Sequence, residues 1–171
     1  MSHAIRKYVY IIAILLFCNP VFSQDTIRVY YDSDSTKMAL EYLVDTITKE
    51  KDGYFKIFDK KGEVSAISEY KKGRIWNIVL LKDSTGNVIS DVGTLKNGNG
   101  TMKVYDDNSR VKNLVTYKNG LRNGLAIKYY HSSKKAMEGH YFNGKRCGSW
   151  YRFSNDEENK IVDTREAGTC S

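Results

Sequence analysis

The chain has 171 residues, 41% hydrophobic and 27% charged, with a single proline. That balance excludes a disordered polar chain and a Gly/Pro-biased fibre, and the length suits one domain with a core of its own. The formal charge of +7 suits an anionic surface or an acidic partner, although solvated strand faces and lysine-guarded edges are the better account of it.

At the N-terminus, Arg6 and Lys7 form a basic lead, Val9 to Phe17 is an unbroken apolar run, and Val21-Phe22-Ser23 offers a cleavage site. This is the pattern of a secretory signal cut after Ser23, and the apolar run is too short to span a bilayer as a helix. Lipidation at Cys18 is disfavoured by the bulky Phe17 before it. The expected domain limits are therefore a signal peptide over 1–23 and a single exported domain over 24–171, periplasmic or extracellular. Loss of Arg6 and Lys7 takes the formal charge to +5.

Next comes an irregular flank. Asp32 to Thr36 reads as a polar turn, and Met38, Leu40, Tyr42, Val44 and Thr46 alternate as in a strand. A helix over 36–44 is the alternative. Residues 29–43 could be a decayed first copy of the repeat that occupies the middle of the chain.

From residue 53 to 153 the chain repeats about every 24 residues, at Gly53, Asn77, Gly100, Gly124 and Gly148. Each unit predicts two short strands and two turns. Asn-Gly at 97–98, 119–120, 123–124 and 143–144 is a strong hairpin signal, because both residues tolerate positive φ. The five repeat positions are read as turns, Asn77 standing in for glycine at a left-handed position. Gly62, Gly86, Asn108 and Ser133 mark the opposite hairpin ends. Two residues past each repeat position stand Phe55, Val79, Met102, Ala126 and Trp150. Five past stand Phe58, Lys82, Tyr105, Tyr129 and Phe153. Positions three apart lie on opposite faces of a regular strand, so either a bulge brings both sets to one face or large side chains cover both faces.

The tail from Asn155 to Ser171 is polar apart from Ile161 and Val162, and predicts one edge strand that caps the array. Cys147 and Cys170 could form a disulfide joining the tail to the last repeat; two free thiols, or a bond to a partner, are the alternatives.

Constellations that carry chemistry are missing. His131, His140 and Cys147 lack the short spacing of a zinc site, and Asn97-Gly98-Asn99-Gly100 lacks the Lys-Ser/Thr of a phosphate loop. Asp156, Glu157 and Glu158 read as a solvated turn. Lys128-Tyr129-Tyr130 and Trp150-Tyr151-Arg152 could stack nucleobases, which export argues against. No catalytic residue, metal or cofactor is expected.

The phrase Tyr117-Lys-Asn-Gly-Leu-Arg-Asn-Gly124 continuing to Tyr130, echoed from Tyr141 to Phe153, resembles the MORN-repeat variant of bacterial proteins, many of which carry the label of a toxin–antitoxin antitoxin. The likeness covers about residues 53–153 and departs from the pattern at Asn77, the short 98–100 loop and Ala126. It implies an all-β fold: an elongated, single-layer antiparallel array of hairpins with about ten or more short strands. The functional expectation is a non-enzymatic binding or scaffold module at the bacterial envelope whose partner is another protein, with contact to a membrane surface as an addition. Neutralising a toxin is the alternative.

Overall fold

The structure, a computed structural model, describes residues 23–157 and 159–171; the basic lead, the apolar run and Cys18 lie outside the described residues. Among the described residues, eleven antiparallel strands follow one another in sequence order. Strands β1 (Gln24–Tyr30), β2 (Met38–Asp45), β3 (Lys51–Phe58), β4 (Val64–Lys71) and β5 (Arg74–Leu81) form the first sheet. The second sheet contains β6 (Gly100–Tyr105), β7 (Val111–Lys118), β8 (Leu121–Tyr129), β9 (Lys135–Phe142), β10 (Lys145–Phe153) and β11 (Ile161–Glu166). Each strand packs substantially only on its sequence neighbours, so the fold is an all-β hairpin array. The alternating stretch at 38–45 is strand, not helix.

One end of the hairpins is closed by two-residue turns with both residues at positive φ: Lys72-Gly73, Asn97-Gly98, Asn119-Gly120 and Asn143-Gly144. This is the backbone of a type I′ turn, whose twist matches that of the strands it joins. The other end is closed by loops with a left-handed residue at Gly62, Gly86, Ser109 and Ser133. Ser109, not Asn108, therefore takes the turn position, which makes the offset from the repeat position nine residues in each of the first four copies.

An aspartate caps three of these loops. Asp59, Asp83 and Asp106 each accept two backbone N–H bonds through Oδ1, those to Asp106 coming from Asn108 and Arg110. Hydrogen bonding to the Thr85 hydroxyl, and then to backbone, holds the Asp83 carboxyl below its ordinary pKa; Asp106 is held down chiefly by the Arg110 amide, with His131 and the Arg110 side chain adding to it. A carboxylate with a depressed folded pKa contributes stability above its unfolded value near 4, and loses it as pH falls toward the folded value. The urea midpoint should accordingly be lower at about pH 3 than at about pH 6, and Asp106→Asn should narrow that difference. Equal midpoints for the unaltered protein at the two pH values would contradict this.

The repeat glycines are not turn residues. Gly53, Gly124 and Gly148 lie inside β3, β8 and β10, and Gly100 begins β6. Asn123-Gly124 likewise lies within β8 and closes no hairpin. Between the pairs Val44↔Lys51 and Tyr42↔Phe55, residues 52–54 face Leu43 alone; between Tyr117↔Arg122 and Val115↔Ala126, residues 123–125 face Thr116; between Cys147↔His140 and Tyr151↔Glu138, residues 148–150 face Gly139. Each is a wide bulge with two extra residues, and a positive-φ glycine lets the chain bend there.

Asn77 corrects the reading in another way, since it is not a positive-φ residue. The two extra residues of its strand are delivered as two single bulges, one at Trp76 and one at Val79, so no left-handed residue is required. Its side-chain oxygen instead accepts the Asn97 amide, as that of Asn99 accepts the Asn119 amide.

These geometries set different tolerances. Gly124 has φ +103°, and an added Cβ would lie 3.3 Å from Thr116 Cβ; Gly148 has φ +62°, with Cys170 Sγ nearest at 3.6 Å. Asparagine is at ease near φ +57° but not at +103°. Gly124→Val and Gly124→Asn should each destabilise by about 1–3 kcal/mol, whereas Gly148→Asn should cost clearly less than Gly148→Val. Urea titration of the four variants checks this, and equal tolerance of asparagine at both sites would contradict it.

The returning strands carry their own one-residue bulges, at Ala39, Ser65, Lys112, Ala136 and Val162. Because these lie opposite the ends of β1, β3, β6, β8 and β10, regular alternation there survives between the two repeat positions. Met102, Val115, Ala126 and Gly139 align on one face, the front; Lys103, Leu114 and Ile127 align on the back, where Tyr129 shares a pocket with Lys103 and Leu114. Large side chains thus cover both faces. No side chain among the described residues is wholly enclosed, and the most buried apolar ones, such as Cys147, Trp150, Ala126 and Tyr117, cluster in the second sheet.

The array splits between β5 and β6, over residues 82–99. Ile89 N–H donates to the Leu81 carbonyl beside β5, but by Thr94 and Leu95 the chain donates to the Thr101 carbonyl beside β6. Gly93, at φ +93°, makes the switch, approaching so closely that a Cβ would lie 2.3 Å from the Thr101 carbonyl oxygen.

Candidate functional site

The residues two before Gly53, Gly124 and Gly148 are Lys51, Arg122 and Arg146, and in each case the side chain lies over an aromatic ring. Lys51 Nζ is 4.1 Å from the Phe55 ring centroid and within 5.1 Å of those of Tyr42 and Tyr70. Tyr42 and Phe55 stack at 5.3 Å. Burial among the rings pushes the Lys51 ammonium below its ordinary pKa. In the second sheet the Arg122 guanidinium lies 5.4 Å from the Tyr141 ring, Tyr141 meets Trp150 edge-on at 5.2 Å, and Arg146 covers Trp150 at 4.2 Å. Hydrogen bonding to the Tyr117 side chain is the main cause raising the Arg122 pKa. Cations over ring faces gain about 0.5–1 kcal/mol each at exposed sites.

These side chains meet because the strand register puts successive copies side by side. The tyrosine ending one copy, at 70, 117 or 141, lies beside the strand that opens the next. In the second sheet the result is a shallow groove whose floor includes Met102, Val115, Ala126, Met137 and Trp150 and whose sides include Arg122, Lys128 and Arg146. It continues past Met137 toward Lys112 and His131 at one end, and toward Asp163 and Arg165 at the other.

The carboxylates along this groove already have partners. Asp106 is paired with Arg110 and His131, Asp163 with Arg152 and Arg165, and Glu166 accepts a bond from the Ser149 hydroxyl. Lys112, Arg122, Lys128 and Arg146 have no ion-pair partner among the described residues.

Of the residues singled out in the sequence, Cys147 and Cys170 are joined, with sulfurs 2.00 Å apart and Cα atoms 5.0 Å apart. His131, His140 and Cys147 do not converge: His131 bonds Asp106, and Cys147 belongs to the disulfide. No cluster of three or more His, Cys, Asp or Glu able to hold a metal occurs among the described residues. Tyr129 and Trp150 face opposite sides of the sheet, so the two Lys/Arg-aromatic phrases do not form one stacking row. The cation positions were missed, although a basic residue two places before the glycine in three copies was a usable signal.

Comparison with protein-family models finds no match, and no curated protein matches the chain.

Proposed function

We propose that the protein is a non-enzymatic binding module that holds a protein partner on the front of its hairpin array, at the bacterial envelope. The observation that carries this reading is the recurring cation–aromatic arrangement of Lys51, Arg122 and Arg146, present in three of the five copies, with both arginines exposed and Lys51 half-buried. Tyrosine, tryptophan and arginine are the residue types that anchor protein interfaces, because they combine large apolar area with polar edges and few rotamers to fix. The envelope location rests on the basic lead, the apolar run and Ser23 in the sequence.

Immobilised residues 24–171 should capture a discrete protein from envelope extract, and Tyr141→Ala should reduce the yield at least tenfold with the fold retained. Absence of any captured protein, or equal capture by Tyr141→Ala, would count against the reading. The resemblance carried by Tyr117 to Tyr130 favours a second reading, neutralisation of a toxin, and capture of a toxin from the same cells would select it.

A further inference from the structure

We infer that the partner segment seated in the front groove of the second sheet is an extended acidic polypeptide. The inference rests on the binding-module reading and adds the chemistry of what is bound. Its ground is charge complementarity: Lys112, Arg122, Lys128 and Arg146 are exposed and lack ion-pair partners among the described residues, while Asp106 and Asp163, the carboxylates nearest the groove, are each held by two basic side chains. Bringing carboxylates to these cations requires no existing ion pair to break.

The floor selects a peptide over a purely ionic ligand. Met102, Val115, Met137 and Tyr141 are half-buried and offer apolar surface between the cations, whereas Ala126 and Trp150 are themselves buried; a peptide with interspersed apolar side chains can cover that surface and a bare polyanion cannot. The spacing fits as well. Arg122 and Arg146 lie on β8 and β10, two strands apart, hence about 10 Å across the sheet; one turn of polyproline II chain, three residues, advances about 9 Å. A segment lying across the strands in that conformation would therefore present a carboxylate to the groove at every third residue.

The test uses a fluorescein-labelled twelve-residue peptide with glutamate at every third position and leucine or serine elsewhere, titrated with residues 24–171. Expected are saturable binding that weakens with salt, at least tenfold weaker binding when glutamine replaces the peptide's glutamates, and at least tenfold weaker binding to Arg122→Gln/Arg146→Gln. A second pair, Lys112→Gln/Lys128→Gln, should weaken it similarly and serves if the first fails to fold. Circular dichroism verifies the fold of each variant. No binding of the acidic peptide, undiminished binding to a folded variant pair, or tighter binding of phosphatidylglycerol vesicles or a sulfated polysaccharide would overturn the inference. The two readings fail separately: an envelope protein captured equally by Arg122→Gln/Arg146→Gln sinks the acidic groove and spares the module, whereas peptide binding without any captured protein leaves the groove and removes the envelope partner.

Discussion

Gly139→Ala should cause a large loss of stability in the second sheet. Gly139 lies buried in β9 opposite the wide bulge of β10, and an added Cβ would fall 2.3 Å from Trp150 Cδ2 and 2.5 Å from Cε2. No real Cβ approaches a ring so closely, so the indole would have to move. It has nowhere to go: Trp150 is only 7% exposed and is wedged between Tyr141 and Arg146. Overpacking of this kind costs about 3 kcal/mol, or roughly 10 °C in Tm for a domain of this size. Tryptophan fluorescence during urea unfolding is a direct measure. A loss under about 1 kcal/mol would show that β10 shifts freely over β9, and that Trp150 is no fixed part of the groove floor.

Cys170→Ser should lower stability by about 3 kcal/mol on the chain-entropy model, since the bond closes a loop whose ends are 23 residues apart in sequence. Cys170 is the side to change, because Cys147 is 3% exposed and altering it would add a packing defect. The tail is also held by backbone bonds, from Gly148 N–H to the Gly168 carbonyl and from Ala167 N–H to the Gly148 carbonyl. Breaking the bond should thus fray residues 167–171 and unseat the end of the groove near Arg165 without dissolving the sheet. Dithiothreitol should shift the urea midpoint of the unaltered protein as far as the substitution does, and leave that of Cys170→Ser unmoved. An unchanged midpoint under both treatments would mean that the tail adds nothing to the array.

The residues that were legible in the sequence are those whose conformation is a local matter. Asn119-Gly120 and Asn143-Gly144 close hairpins because each residue accepts positive φ whatever lies around it, and the spacing of such pairs is enough to predict an all-β array. The carboxylate caps were equally readable and were missed: Asp59, Asp83 and Asp106 all stand six residues past a repeat position, where an oxygen two residues before free amides will accept them.

What residues do across copies was out of reach. Gly124 reads identically as a turn glycine or a bulge glycine, and only the pairing Val115↔Ala126 and Tyr117↔Arg122 places it inside a strand. Asn77 resembles a glycine substitute by spacing, yet pairing with β4 spreads its extra residues over Trp76 and Val79 and removes the need for one. Cys147 and Cys170 show a loop length but no geometry until β11 folds back on β10. The same holds for the candidate site: Arg122, Tyr141, Trp150 and Arg146 are scattered over 29 residues of sequence and become one surface only when β8, β9 and β10 are in register. The period, the turns and the strand class are written in the residues themselves, because backbone φ preferences act over two or three positions. The bulges, the division into two sheets and the groove arise only on folding, because they depend on hydrogen-bond pairing between strands that no local preference specifies.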